Sequence, residues 1–506
     1  MPSSLPRSTP AAQGVDSAAV HSFLDALDER PDIEMHSLMV VRHGQVVAEG
    51  WWAPYSAERP QLLYSLSKSF TSTAAAFAQA EGLLDLDDTV ISHFPEFAAD
   101  ITDSRSRSMK IRHVASMASG HSDETLGEAL ARDPREPVRG FLLIPPDREP
   151  GTVFAYNQPC TYTLGSIVQR NAGMSLTSYL RPRLFDPLGI GHVGWHTFPP
   201  GREQGFSGLH ARTEDIAKLG LLYLQRGQWE GTQLIPGEWV AEATSAQVSN
   251  SQNTQPDWQQ GYGFQFWMAR HGYRGDGAFG QFCVILPEQD TVIVTTAYTF
   301  EMQAMLDAMW AHLLPGLGTL ASDTGASGTG ASGTGASGTG SRGDGSADDT
   351  LRARLAGLSL PARAGAPAPA DWEPWTSGPF AVASRKADTE VQPFGPSAET
   401  FVTSVEVAQR AGGWQISLIE AGNALTVPVG TGAWTVCEAA DRHGSVIPVA
   451  VCGGWLDDQT LRAEVIFLET PHRMDVTCAL PGRTAEAVWA LPPLTRSKLH
   501  ELHCPS

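Results

Sequence analysis

Close to residue 320 the chain loses the means to build a core. Residues 322–350 read SDTGASGTGASGTGASGTGSRGDGSADDT, a GASGT repeat with no apolar side chain larger than alanine. Burial cannot offset the entropy of ordering such a stretch, so it is expected to be a flexible tether without a recognition role. A coil of that length reaches roughly 30 Å between its ends. No single core runs through it, and the chain is expected to divide into residues 1–318, a linker over 319–350, and residues 351–506. The 506 residues are 42% hydrophobic and include 14 Trp, so both flanks can bury a core.

Charge then excludes two classes of partner. The formal net charge of -20 leaves no basic footprint for nucleic acid or an anionic membrane. No run approaches the ~18 apolar residues of a membrane span. The first residues, MPSSLPRSTPAAQGVDS, lack the apolar stretch of a signal peptide. Cys160, Cys283, Cys437, Cys452, Cys478 and Cys504 show no CxxC or metal-type spacing. A cytoplasmic protein with free thiols, no metal and no cofactor is the expectation. His192 and His196 lie four apart in GHVGWH, but the glycines between and before them predict a loop rather than a helix presenting two ligands.

The two flanks differ in pattern. Downstream of the repeat, FVTSVEVAQ, GWQISLIE, NALTVPVG, AWTVCEA, SVIPVAV, LRAEVIFLE and MDVTCAL alternate apolar and polar residues between Gly, Asn and Asp turns. They predict an antiparallel barrel or sandwich, with Trp372, Trp375, Trp414, Trp434 and Trp455 read as core in preference to a ligand mouth. Upstream, HSLMVVRHG and QVVAEGWW predict a hairpin turning at His43–Gly44. A helix-rich stretch follows to about residue 250. Strands then return in GFQFWMAR, AFGQFCVIL and TVIVTTAY, and a helix closes the segment over 300–314. Strands at both ends around a helical middle predict an α+β domain with one antiparallel sheet and a cleft beside the helical part.

The chemistry centres on Ser65-Leu66-Ser67-Lys68, which opens the alanine-rich run SLSKSFTSTAAAFAQAEG. That run predicts a helix from near Ser65 to Gly82. Residues i and i+3 share a face, so the Ser65 hydroxyl is expected beside the Lys68 amine. Serine becomes a nucleophile when a base takes its proton, and lysine is a base only when burial or nearby positive charge keeps it neutral. The spacing alone is weak, since a serine N-cap followed by a solvated lysine looks the same.

Longer segments carry a resemblance. YSLSKSFTSTAAAFAQAEGLLDLDDTVISHFPEF, MKIRHVASMASGH, PGTVFAYNQPCTYTLGSIVQ, LRPRLFDPLGI, RTEDIAKLGLLYLQRGQWEGTQLIPGEWV and RGDGAFGQF occur in this order. Over residues 14–314 the chain resembles the penicillin-recognising serine hydrolases, nearest to class C β-lactamases, family VIII esterases and D-aminopeptidases. The resemblance implies a β-lactamase-like antiparallel sheet with a helical subdomain. It also implies Ser65 as nucleophile and Lys68 with Tyr156 as a coupled pair, either of which can serve as base. The Ser65 and Ala278 amides would form the oxyanion hole.

Two departures from the family pattern shape the expected substrate. Gln158 stands where the family has an asparagine, with Asn157 one position earlier, and either amide is a candidate for substrate or Lys68. The Lys-Thr-Gly motif appears as Gly275-Asp276-Gly277 and lacks its cation. Arg274 and His271 are candidate replacements, while Asp276 in the cleft would repel carboxylates. The small Gly275, Gly277 and Gly280 are read as suiting close approach of backbone to substrate, and Cys283 as a structural thiol. These features imply a metal-free serine hydrolase acting on a small ester or amide. D-amino-acid-selective peptidase, acyltransferase or peptide cyclase, weak β-lactamase and silent ligand-binding protein are the alternatives.

Overall fold

A computed structural model describes residues 4–318, 345–382, 400–442, 444–494 and 497–505. Most of the expected tether, 319–344, lies outside the described residues. The chain divides into two compact units, one of residues 1–50 and 63–357, the other of 51–62 and 358–504.

In the first unit α1 (Ser17–Asp28) precedes the hairpin β1 (Glu34–Arg42) and β2 (Gln45–Trp51). The turn falls where expected: His43 and Gly44 take φ of 51° and 72°, the left-handed pair that joins two-residue hairpins. The helical part contributes α2 (Ser67–Ala80), α3 (Gln158–Ala172) and α4 (Thr213–Leu224). Then come β3 (Trp267–Met268), β4 (Tyr273–Gly277), β5 (Gln281–Leu286), β6 (Thr291–Tyr298), α5 (Met302–Ala308) and α6 (Gly345–Ala356). The sheet order is β3-β4-β5-β6-β1-β2. β1 pairs antiparallel with β6, in agreement with a sheet assembled from distant ends of the domain.

Burial explains why β6 reads TVIVTTAY without alternation, for all eight residues are buried. Helix α4 packs on β1, β5 and β6. A Cβ on its Gly220 would lie 2.6 Å from Val292 Cγ1 and 2.8 Å from Cys283 Sγ, so glycine permits that approach. Cys283 is the structural thiol expected. GFQFWMAR forms only the two-residue β3, because Gln265 takes φ 63° and turns the chain.

The last six residues read as tether, 345–350, begin helix α6 instead. Leu351 and Leu355, four apart, are buried, and the buried Asp348 carboxylate accepts a 2.5 Å bond from Ser17 Oγ. Arg354 pairs with Asp25 and Asp28 on α1 at 2.7 and 2.9 Å.

The second unit carries β7 (Phe380–Val382), β8 (Val402–Arg410), β9 (Gly413–Glu420), β10 (Asn423–Val429) and β11 (Thr435–Ala440). It continues with β12 (Val446–Asp457), β13 (Thr460–Phe467), β14 (Arg473–Ala479) and β15 (Thr484–Leu491). These nine strands run β10-β9-β8-β7-β15-β14-β13-β12-β11, antiparallel except for β7 against β15. A bridge from Gly430 to Cys452 nearly closes the sheet into a barrel. Alternation is strict where one face meets solvent, as in β9. Inside, Trp455 lies 4.8 Å from Trp414 and 5.6 Å from Trp375 between ring centroids, so these three rings are core. Trp372 packs against that core and Trp434 donates to Leu360 O at 3.0 Å. Among the described residues no helix is long and apolar enough to cross a membrane.

Truncating Trp455 to alanine removes the ring that the other two share. A loss of about 3–5 kcal/mol is expected, measured as a lower denaturant midpoint for the second unit by tryptophan fluorescence.

Candidate active site

Helix α2 is buried from Ser67 to Ala78 although five of its first seven residues are Ser or Thr. Each hydroxyl there finds an acceptor off the helix or one turn back. Ser69 Oγ donates to Gln265 O at 3.0 Å, Ser72 Oγ to Phe264 O at 2.7 Å and Thr71 Oγ1 to Gly205 O at 2.8 Å. Thr73 Oγ1 donates to Ser69 O at 2.8 Å. Satisfied hydroxyls and alanines make a slim helix that neighbouring chain segments can approach.

A 3-10 turn over Tyr64–Leu66 feeds this helix, so Ser65 sits one step outside the α-helical start that its sequence suggests. Tyr64 takes φ 49°, a conformation costing a bulky residue about 1–2 kcal/mol. Two contacts hold it there. Ser67 Oγ donates to Tyr64 O at 2.6 Å while accepting the Leu209 amide at 3.0 Å. The Tyr64 ring meets Phe279 edge-on at 5.2 Å, and Phe279, itself at φ 70°, stacks on Tyr298 at 4.3 Å.

Strand β4 closes over the same turn. A Cβ on Gly277 would collide with Leu63 O, and one on Gly275 would meet Leu66 Cδ1 and, at 2.8 Å, Ser69 Oγ. The two glycines therefore permit contact of β4 with the nucleophile turn. This contact brings the main chain at Gly277–Ala278 beside that of Leu63–Leu66.

Lys68 is 1% exposed. Its Nζ lies 3.0 Å from Ser65 Oγ, 2.6 Å from Gln158 Oε1 and 2.7 Å from Phe206 O. Burial pulls its pKa from 10.5 down to about 7, against the opposing pull of Glu124, Asp276 and Cys160. The neutral amine has two N–H donors and one lone pair. Gln158 and Phe206 offer acceptors only, so a neutral Lys68 has its lone pair left for the Ser65 O–H. Tyr156 lies with its ring centroid 4.8 Å from Nζ, and its phenol is within hydrogen-bonding reach of Ser65 and of the Trp267 indole. Burial pushes that phenol well above its ordinary value. Trp267 stacks on Tyr156 at 5.2 Å.

The remaining candidates separate. Gln158, first residue of α3, faces Lys68. Asn157 turns away: it is buried, and its Oδ1 accepts from the Thr125 amide and hydroxyl at 2.9 and 3.0 Å. Arg274 is 0% exposed on β4. Its guanidinium donates to Asp276 Oδ2 and Asp257 O, both at 2.9 Å, and lies 4.3 Å from the Trp258 ring centroid. Its Nη2 is buried without a hydrogen-bond partner. His271 is exposed in the turn before β4, 5.1 Å from the Trp310 ring. Asp276 stays near Lys68, with its pKa raised to about 6 by burial against the pull of Arg274.

One residue at the site has no signal in the sequence. Glu124 lies in the exposed loop before α3, and its carboxylate accepts the Leu126 amide at 2.8 Å and bonds with the Thr125 and Gln158 amides. Its surroundings raise its pKa through desolvation, those amides and Lys68 opposing. No spacing links it to Ser65.

A sequence model described as Beta-lactamase matches residues 20–314. The chain belongs to this family. Within it, a β-lactamase of Yersinia enterocolitica is 23% identical over 195 residues, which is 38% of this chain and 46% of the relative. The 6-aminohexanoate-dimer hydrolase of Paenarthrobacter ureafaciens is 26% identical over 304 residues, 54% of this chain and 76% of the relative. The lovastatin esterase of Penicillium rubens is 28% identical over 176 residues, covering 30% and 42%. The chain spans about half the length of the β-lactamase and the esterase that it matches. The Beta-lactamase family comprises serine hydrolases, and the match covers every residue of the site from Ser65 to Ala278.

Replacing Ser67 with alanine leaves the Leu209 amide and the Tyr64 carbonyl without their shared partner. A loss of about 1–3 kcal/mol is expected, read as a lower denaturant midpoint.

Proposed function

We propose that this chain cleaves an ester or amide of a small acyl substrate through a covalent acyl-Ser65 intermediate. The observation that carries the reading is the hydrogen-bond set of Lys68, complete for a neutral amine only when the Ser65 hydroxyl donates to it. In the first step the Ser65 proton moves to Lys68 Nζ as Oγ bonds to the substrate carbonyl carbon. The resulting oxyanion would be held by the Ser65 and Ala278 amides, a reading supported by the close packing of Gly277 on Leu63 and Leu66. Tyr156, a protonated phenol between Ser65 and Trp267, would hand its proton to the leaving group and recover one from Lys68. Water then attacks the acyl carbon, gives its proton to the same pair and releases the acid and Ser65. Relatives named for hydrolysis of a 6-aminohexanoate dimer and for a lovastatin ester support an ester or amide over a cell-wall or nucleic-acid substrate.

Intact mass after exposure to a fluorophosphonate tests the reading. The wild type is expected to gain one adduct that Ser65→Ala does not, and an adduct in neither would overturn it. The pH dependence follows from Lys68. Below about pH 7 its amine is protonated and has no lone pair for the serine proton. Turnover of an uncharged nitrophenyl ester should therefore fall about tenfold per pH unit on the acid side of that value. Glu124→Gln removes a carboxylate that favours the ammonium, so the acid limb should move to lower pH in a stopped-flow pH series.

A further inference from the structure

Three residues before Ser65 the chain is still part of the second unit. Residues 51–62 belong to that unit, and Leu63 begins the return to the first. The glycine repeat does not join the units, because α6, which follows it, belongs to the first. Within the second unit, residues 51–62 are bonded to the turn between β13 and β14. The Leu62 amide donates to Glu469 O at 2.9 Å, the Gln61 carboxamide to Leu468 O, and Tyr55 Oη to Thr470 O at 3.3 Å. The turn is also fixed from its own side. Leu468 N donates to Pro448 O at 2.9 Å, Thr470 N to Phe467 O at 3.0 Å, and Cys504 N to the Glu469 carboxylate at 2.6 Å. Gln61 and Leu468 are both buried, so each depends on the other for a hydrogen bond that water does not replace.

We infer that the second unit positions Ser65 through Gln61 and Leu62, which makes Gln61 a positioning residue of the hydrolase. The inference rests on the acyl-Ser65 reading and gives the nine-stranded unit a part in it. Tyr64 holds a left-handed conformation that a bulky residue disfavours, so the turn carrying Ser65 needs restraint on both sides. Ser67 Oγ and the Phe279 ring supply it on one side. On the other, only Leu63 separates Tyr64 from an amide bonded within the second unit. A single residue has two soft dihedrals, so a shift of Leu62 passes to Tyr64 with little slack. Misplacing a reacting group by about 1 Å costs on the order of a hundredfold in rate.

Two measurements on the full chain test the inference. In the first, Gln61→Leu removes the donor to Leu468 O at similar size, and Ser65 is labelled with a fluorophosphonate well below the onset of unfolding. The labelling rate and kcat for an uncharged nitrophenyl ester are expected to fall together by about tenfold to a hundredfold, with KM little changed. A role in stability alone would lower the denaturant midpoint and leave the labelling rate at the wild-type value; that result overturns the inference. The second measurement does not depend on Gln61→Leu folding. Trp455→Ala weakens the core of the second unit, and Ser65 labelling is followed through a denaturant series beside the tryptophan fluorescence of that unit. Both midpoints should move down together relative to the wild type. Labelling at the native rate after the second unit has unfolded overturns the inference and leaves the acyl-Ser65 reading standing. A wild type that gains no adduct even without denaturant overturns that reading instead.

Discussion

The first unit is organised around an amine that water does not reach. Moving Lys68 from 10.5 to about 7 amounts to about 5 kcal/mol of preference for the neutral form. Burial alone would produce such a shift, but a buried amine also needs hydrogen-bond partners, and a carboxylate in contact would restore its charge. The fold meets both demands with neutral partners: an amide oxygen from Gln158 and a carbonyl from Phe206 to accept, and the Ser65 hydroxyl to donate. The carboxylates nearest in effect are kept off. Asp276 is engaged by Arg274, and Glu124 by main-chain amides.

That requirement explains otherwise odd features of the elements nearby. A helix buried on nearly every side is normally apolar, yet α2 opens SKSFTST. Its hydroxyls return hydrogen bonds to carbonyls at residues 205, 264 and 265, which ties irregular segments to a rigid helix without a bulky side chain between them. The segment at 205–206 is one so tied, and it delivers the Phe206 carbonyl to Lys68. Strain at Tyr64 and Phe279 fits the same scheme. Two aromatic residues in left-handed conformations pack on each other, one before the nucleophile and one after the end of β4. Each holds the other in place.

How much of this is legible in the sequence follows from the range of the interactions. Ser65 and Lys68 are one helical turn apart, so their pairing is local and readable. The β1–β2 hairpin and the alternating strands of the second unit are readable for the same reason. The choice between Asn157 and Gln158 is not, since it depends on where α3 begins and on Thr125 claiming the first amide. Arg274 looks exposed because an arginine beside Gly and Asp usually is. Only the buried Asp276 and the Trp258 face show that it is interior. Helix α6 is hidden by composition: the glycine repeat dominates the window, while Asp348, Leu351 and Leu355 make sense only against α1.

Charge shows the difference between a total and a placement. The chain's formal charge of -20 is a total, and it says nothing of the cleft. There the balance depends on which groups find partners of opposite sign. The motif strand has lost its usual cation and gained Asp276, which on the sequence alone reads as an added negative charge facing substrate. The buried Arg274, two residues away on the same face of β4, turns that carboxylate into half of a neutral pair. The loss of the cation is then what remains of the departure on β4. Sign of charge in a motif is therefore a poor guide to the field at a nucleophile; the partners that folding supplies decide it.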